Sequence, residues 1–351
     1  MGCYIPEDLI VQILPRFPAK SLVRFRCVCK HWHSSLTNPE FITNHAINQG
    51  QENPNAEKVF CFRSKSSLFI VNLERFDPLH DKCTMFSITS YAKEIALPTE
   101  KFSHMLHTTI LGSCNGLIFL KHGWSSDQFC LLNPLTGESR HLFTSFWDKP
   151  KTKFAFGYDS STKDYKIIRF QIDDYPCRLR VFSLENNSWR RPKTNIQYTL
   201  KQLIPDLETL QAVQVGGFLH WQIASPNPDS LLTFDLAQEK FGELINLPRD
   251  SDGRTRVVGL SVLHGCLCLT LHGPSIWIMK EYGVAESWTK FINIDALRHH
   301  TVFQLFPLCY IKDGRRVLLL LNSAKLSSTI LKLDPSIRVP SKFGKTRTFS
   351  Y

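Results

Sequence analysis

The chain has 351 residues, of which 43% are hydrophobic and 21% charged, the balance of a globular protein rather than a disordered or fibrous one. The longest purely apolar run, Val317 to Leu321, is too short for a transmembrane helix, and the N-terminus lacks the basic region and apolar core of a secretory signal. The formal charge of +11 is scattered, and only Arg338, Lys342, Lys345 and Arg347 gather, as a basic tail. A nucleic-acid reader would concentrate its charge on one stripe or helix, so neither nucleic acid nor membrane is expected as a partner.

Helical signals come first. Pro6 suits the first turn of a helix, where its missing N–H has no intrahelical partner. Glu7 and Asp8 place negative charge at the favoured end of the dipole, and Leu9, Ile10, Ile13 and Leu14 recur at helical spacing. Pro15 should stop or kink this helix at about Leu14. A second helix is expected from about Ala19 to Arg26, with Leu22 and Phe25 on one side, and a third through Lys30, Trp32 and Leu36. Asn38-Pro39 reads as an N-cap and first-turn proline opening a short fourth helix from Glu40 to about His45. So short a unit rarely has a sufficient core alone, and part of its apolar surface is expected to be covered by a partner.

The stretch Ile5 to Trp32 resembles an F-box, the helical motif that docks onto the Skp1 adaptor of SCF-type ubiquitin ligases. Pro6, Leu9, Ile13-Leu14, Pro18, Leu22, Arg24, Arg26, Val28-Cys29-Lys30 and Trp32 fall where that family has theirs. Ile5 stands in place of the usual Leu, and Pro15 is a second departure. The resemblance implies that Pro6, Leu9, Ile13, Leu14, Phe17, Pro18, Leu22, Val28 and Trp32 form or support the interface with a Skp1-like adaptor, and through it with a cullin-RING ligase. Without a partner, the same residues would make an ordinary helical cap on the domain that follows.

The eleven cysteines include no C-x-x-C pair, so neither a disulfide framework nor a zinc site is indicated. Cys29 and His33 are spaced to share a helix face, which permits a metal pair, but two further ligands are not in evidence. Gly2-Cys3 invites a lipidation reading, which Pro6 opposes by occupying the position that a myristoylation motif reserves for Ser or Thr. Reduced thiols in the cytosol or nucleus are expected.

A polar segment, 47–57, reads as a linker between a helical domain at 1–46 and a second domain at 58–338, with the basic tail at 339–351. From Lys58 the pattern becomes short strands between turn signals. Expected strands are Val59–Phe62, Leu68–Val71, Met85–Ile88, Gly116–Leu120, Phe129–Leu132, Tyr165–Phe170 and Arg178–Leu184. The series continues with Phe218–Trp221, Leu231–Leu236, Cys266–Leu271, Ile276–Met279, Val317–Leu321 and Thr329–Leu333.

These strands repeat as units. One half is a tight turn running into an apolar strand: Asn115-Gly116, Gly216-Gly217, His264-Gly265 and Asp313-Gly314. Such residues tolerate the positive φ of hairpin turns. The other half is an apolar strand, a polar turn and an aromatic or aliphatic strand, as in Leu131 to Glu138, Phe182 to Trp189, Leu232 to Phe241, and Ile276 to Trp288. Anchored on Ser87, Asn133, Ser183, Asp235, Lys280 and Asp334, the period is roughly 45–55 residues, the range of kelch-like propeller blades. About six such units would close a ring. Trp189, Trp221, Trp277 and Trp288 are expected to fill interfaces between blades.

Gly112 to Leu117, Phe156 to Asp159 with Asp164 to Ile168, Asn187 to Arg190, and Trp277 to Gly283 with Glu286 to Trp288 are similar to the plant F-box-associated domain. The nearest patterns are those of F-box/kelch-repeat and S-locus F-box proteins, although Gly216-Gly217 is the one clear kelch diglycine.

No catalytic constellation stands out. Asp159, Asp164, Asp173 and Asp174 read as solvated or turn-capping acids, His220 as a satisfied core histidine, and His299-His300 as an exposed pair. Phosphate-cradling glycine loops and the G-x-S-x-G elbow are absent, and no cofactor or metal is implied. The expectation is a non-catalytic substrate receptor whose target contacts lie among the connections 121–128, 143–153, 171–178, 225–230 and 248–256. A Skp1-bound protein that only sequesters its target would carry the same sequence, and a propeller enzyme is the remaining alternative.

Overall fold

In the computed structural model the described residues are 12–17, 19–38, 41, 45, 59–64, 67–72, 86–87, 92–95, 108–122, 128–143, 152–171, 178–192, 212–223, 230–248, 257–263, 265–271, 275–293, 304–310, 316–322 and 326–332. They fall into two compact units, Met1–Leu73 with Lys93–Phe146, and Glu74–Ala92 with Trp147–Tyr351.

The first unit opens on helices. Gln12 and Ile13 are helical, and the chain then tightens into a 3-10 turn, Leu14–Arg16, closed by the Phe17 N–H donating to the Leu14 carbonyl at 3.1 Å. Pro15 accounts for this, since it has no N–H to extend the helical ladder. Helices α1 (Ala19–Phe25) and α2 (Lys30–Thr37) follow. Asn38 closes α2, its N–H donating to the Ser35 carbonyl at 3.3 Å. Of the expected fourth helix, Phe41 and His45 are described and have helical backbone; the rest lies outside the described residues. Leu14, Leu22 and Leu36 are buried together, with Phe25, Trp32 and Phe41 packed against them. Phe25 meets both Phe17 and Trp32 edge-on, at 5.3 and 5.6 Å between ring centres.

Two sheets complete this unit. One is β1 (Val59–Ser64), β2 (Ser67–Asn72) and β4 (Lys93–Ile95) in that order. The other is an antiparallel meander of β5 (Thr108–Cys114), β6 (Leu117–His122), β7 (Gln128–Leu132) and β8 (Ser139–Phe143). Leu68 of the first shares a core with Ile118, Leu120, Cys130 and Leu132 of the second.

The second unit contains four sheets. The first is β9 (Thr152–Asp159), β10 (Asp164–Gln171), β11 (Arg178–Ser183) and β12 (Ser188–Arg190). Next come β13 (Val213–Val215), β14 (Phe218–Ile223), β15 (Ser230–Asp235), β16 (Lys240–Phe241) and β17 (Ile245–Asn246). A third meander is β18 (Val257–Leu263), β19 (Cys266–Leu271), β20 (Ser275–Met279) and β21 (Trp288–Asn293). The last, β22 (Gln304–Tyr310), β23 (Arg316–Asn322) and β24 (Leu326–Lys332), takes its fourth strand from much earlier in the chain: β3 (Phe86–Ser87) pairs with β24, Ser87 opposite Ser327.

All thirteen strands expected from the sequence are present. Strands β12, β16 and β21 follow the polar turns of the repeat, and β4, β5, β8, β9, β13, β17, β18 and β22 are additional. The turn signals act where they were expected. Asn115 and Gly116 have φ of 46° and 78°, and Gly216 and Gly217 have 59° and 87°. Both pairs join their strands in the two-residue turns that suit the twist of a hairpin. Gly265 has a φ of 78°, while Asp313-Gly314 lies outside the described residues.

The long polar turns share a second device. Asn133 Oδ1 accepts the N–H groups of Leu135 and Thr136 at 3.0 and 3.3 Å, and Asp235 Oδ1 those of Ala237 and Gln238 at 2.8 and 2.9 Å. Asp159 Oδ1 accepts from Ser161 N–H at 2.9 Å, and Ser183 Oγ from Asn186 N–H at 3.1 Å. Each turn then ends on a residue of positive φ: Gly137 at 76°, Glu239 at 55°, Lys163 at 54° and Asn187 at 49°. A side-chain oxygen opens the turn and a left-handed residue closes it.

Trp221 is buried in a core shared by the β9–β12 and β13–β17 sheets, among Ile168, Phe170, Val181, Leu219 and Phe234. Trp288 is buried in the next core and donates its indole N–H to the Asn246 carbonyl at 3.2 Å, with Trp277 packed at the margin. Trp189 lies against Phe182, 5.2 Å between rings.

Candidate functional site

The adaptor-facing residues divide by burial. Leu14 and Leu22 are 2% and 6% exposed and belong to the helical core, and Trp32 is half-buried beside them. Ile13, Phe17 and Val28 are 43%, 37% and 61% exposed. Among the described residues only Leu244 and Val284 join them as exposed large hydrophobics, so the helical segment holds three of the five. Pro6, Leu9 and Pro18 lie outside the described residues. Between residues 12 and 38 the sequence carries Arg16, Lys20, Arg24, Arg26 and Lys30 and no acid. The exposed apolar groups therefore sit in a basic setting.

Val28 owes its exposure to the turn between α1 and α2, where Arg26, Cys27 and Val28 donate their N–H groups to the carbonyls of Leu22, Arg24 and Phe25. Cys29 ends this turn with extended backbone, and its Sγ accepts the Trp32 N–H at 3.4 Å. The thiol is thus the N-cap of α2, a role usually taken by Ser or Asp because sulfur is a weak acceptor. Pairing with His33 on a metal was the sequence alternative; among the described residues no three potential ligands gather.

A buried charge cluster in the second unit was not read from the sequence. Lys166 Nζ lies 2.8 Å from Asp159 Oδ2, 2.8 Å from the Leu236 carbonyl and 2.9 Å from Glu239 Oε1. An ammonium has three N–H groups, so none remains for a substrate. Arg190 closes the far side by donating both terminal nitrogens to the Glu239 carboxylate. The solvated reading of Asp159 and Asp164 is corrected: they are 2% and 5% exposed, and both cap turns. Asp164 accepts from the Ser183 hydroxyl at 2.5 Å and the Glu185 N–H at 2.9 Å. Burial pushes the Asp159 carboxyl up, yet Lys166, Ser161 and Thr162 together outweigh it and hold it down at about 2. Asp173, Asp174, His299 and His300 lie outside the described residues. A signal for the cluster was available: Lys166 interrupts the apolar run Tyr165 to Phe170, and a charge in a buried strand requires a partner.

Beside that cluster, Gln214 of β13 bonds the open edge of β9, its amide accepting the Tyr158 N–H at 2.8 Å and donating to the Tyr158 carbonyl at 2.7 Å. The backbone approaches closely enough here that a Cβ on Gly157 would stand 2.8 Å from Leu236 Cδ1.

His220 is fully buried, as expected of a core histidine. Its Nδ1–H donates to the Val213 carbonyl at 3.2 Å, which leaves Nε2 to accept from the Tyr282 hydroxyl at 2.8 Å. Burial presses its pKa down to about 4, against the weaker opposing pull of the Val213 carbonyl. Burial also pushes the Cys61 thiol up to about 12 and the Cys130 thiol to about 11, so neither is a thiolate nucleophile at neutral pH. Lys166, Asp159, Glu239 and His220 are thus satisfied within the fold, and the feature that asks for a partner is the exposed apolar set on the helices. No helix among the described residues is long and apolar enough to cross a membrane.

Comparison with known proteins agrees with that geometry. The F-box domain family matches residues 3–44 and the F-box associated beta propeller domain family residues 59–338. F-box protein CPR1 of Arabidopsis thaliana is 31% identical over 92% of this chain and 81% of its own length. An F-box/kelch-repeat protein of the same plant is 26% identical over 90% of this chain and 85% of its own. Among solved structures, TolB from Acinetobacter baumannii aligns over 84% of this chain and 71% of its own with a TM-score of 0.41 at 9% identity. With these two families matched one after the other along the sequence, the chain belongs to the F-box proteins that carry an F-box associated beta propeller domain.

Proposed function

We propose that this chain is the substrate-recognition subunit of an SCF-type ubiquitin ligase, holding a Skp1-like adaptor through the helices and a target protein through the propeller. The chemistry then belongs to the E2 and the cullin-RING module, and this chain contributes proximity and orientation. The observation that carries the reading is the exposure of Ile13, Phe17 and Val28 on helices that already possess a core of their own. Their basic setting favours an adaptor surface with acidic side chains. Residues 1–46 are the docking domain, 47–57 a linker, 58–338 the propeller and 339–351 a basic tail. The six sheets are taken as six blades, in keeping with the repeat of roughly 45–55 residues. Free thiols at Cys27, Cys29, Cys61, Cys114, Cys130, Cys266 and Cys268 fit residence in the cytosol or nucleus.

In the β5–β8 and β9–β12 sheets the turns 115–116, 133–138, 160–163 and 184–187 close one end and the connections 123–127 and 172–177 leave from the other. Target contacts belong at that second end, because loops tolerate variation that strands do not.

The test is co-purification with a Skp1-type adaptor. Ile13→Asp with Val28→Asp is expected to lower capture by at least about a hundredfold, since each exposed anchor contributes roughly tenfold or more, and to leave the melting temperature unchanged. Full capture by this folded double variant would sink the adaptor reading. Pro6→Ala with Leu14→Ala is a poorer choice, because Leu14 belongs to the core.

A further inference from the structure

Arg26 reaches across the first unit. It lies in the turn that exposes Val28, and its guanidinium donates to Glu138 Oε1 at 2.7 Å and to the Leu36 carbonyl at 3.3 Å. Glu138 belongs to the turn between β7 and β8, so this contact joins the helical segment to the β5–β8 sheet over 112 residues of sequence.

Both partners are held before they meet. The Leu36 carbonyl lies in the last turn of α2, where backbone acceptors lack intrahelical donors and a cation suits the dipole. On the other side, Glu138 Oε2 accepts the Thr136 hydroxyl at 3.2 Å, and the Asn133 N–H donates to the Glu138 carbonyl at 2.9 Å, closing the turn. An ordinary surface pair loses much of its value to the entropy of ordering two long side chains. Here the Arg26 side chain is 18% exposed and that of Glu138 58%, and each partner has a second anchor that limits the entropy still to be lost.

We propose that Arg26 and Glu138 form a strap that sets the orientation of the adaptor-docking helices on the β5–β8 sheet. The strap attaches at the end of that sheet closed by the Asn115-Gly116 and Asn133–Glu138 turns, opposite the end from which the connections 123–127 and 144–151 leave. The helices and the target-facing end are thereby held apart at a defined angle, and a transferred group reaches a target efficiently only if that angle is kept. The consequence for transfer rests on the adaptor reading; the orientation itself does not.

The experiment measures a distance distribution in the full chain between spin labels carried on non-canonical residues at Lys30 in α2 and Thr109 in β5, both exposed. Non-canonical attachment avoids the exposed thiols of Cys27 and Cys29. The unaltered chain is expected to give a single narrow peak, and Glu138→Lys to lose it in favour of a broad distribution. Glu138→Gln, which keeps the shape and removes the charge, is expected to broaden the peak less and serves should the reversal unfold the chain. Glu286→Lys, the same charge change at an exposed site in the other unit, is expected to keep the narrow peak. An unaltered peak in both Glu138 variants, or equal broadening by Glu286→Lys, overturns the strap. Adaptor capture is measured on the same proteins: failure of the unaltered chain to bind the adaptor counts against the proposed function and leaves the distance result standing.

Discussion

Lys166 and Glu239 tie two sheets of the second unit together, with Asp159 on one flank and Arg190 on the other. Removing one partner of a buried ion pair leaves an uncompensated charge, which costs far more than the pair contributes. Lys166→Met is therefore expected to lower unfolding free energy by about 3–5 kcal/mol, read by denaturant titration. Adding Asp159→Asn to that variant is expected to recover part of the loss, since the carboxylate left without its cation is then gone while Glu239 keeps Arg190. His220 controls a different property. Unfolded, its imidazole takes up a proton near the usual 6.5; folded, it resists until about 4. Below pH 6.5 the unfolded chain thus binds more protons than the folded one, and stability drops as pH falls until about 4, where both forms are charged. His220 accounts for about 3 kcal/mol of that acid loss at most. His220→Gln should be less stable at pH 7 yet show a flatter stability profile between pH 6.5 and 4. Parallel profiles for the two proteins would show that His220 does not titrate as its burial requires.

The turns show what sequence encodes at the scale of elements. Asn133, Asp159, Ser183 and Asp235 open turns with a side-chain oxygen, and three of these are the anchors on which the sequence repeat was aligned. That repeat was legible in part because the same hydrogen-bonding need recurs at Asn133, Ser183 and Asp235. The closing residue was not, since Lys163, Asn187 and Glu239 take up the left-handed conformation that glycine would advertise. A non-glycine residue there carries a strain of about 1–2 kcal/mol. Lys163 is exposed, so Lys163→Gly is expected to raise stability by about 0.5 kcal/mol once the entropy of the unfolded glycine is subtracted, measurable as a higher denaturation midpoint. The strands divide the same way. Strands β6 and β19 are buried almost without a break and stand out as apolar runs. Strands β4, β13 and β17 are only two or three residues long, too short for any periodicity. Strand β22 contains Pro307, which argues against a strand in sequence; as an edge strand with a bulge beside it, β22 accommodates the missing N–H. Among the docking residues, spacing identified the set but could not separate Leu14 and Leu22, which fill the core, from Ile13, Phe17 and Val28, which face outward. Only packing against Leu36 decides that.

At the scale of the molecule, the pairing of β3 with β24 was hidden from sequence. Two residues, Phe86 and Ser87, complete a sheet whose other strands begin at Gln304, and so short a segment carries no long-range signal. Physically it means that the second unit cannot finish this sheet until both extremes of its chain are in place. Closing so long a loop is costly in entropy and is recovered only when the pairing forms. A chain ending at Asn322 tests the consequence. It lacks β24, leaves β3 without its partner, and turns β23 from an interior strand into an edge, although Val317, Leu318 and Leu319 of β23 are buried in the complete sheet. Hydrogen exchange should then show protection lost in β22 and β23 and weakened in β18, which packs against β22, while β5 to β8 of the other unit keep theirs. The new apolar edge should also make the shortened protein prone to self-association, since an unpaired strand invites another. Protection in β22 and β23 equal to that of the whole chain would mean that these two strands do not depend on β24 and its pairing with β3.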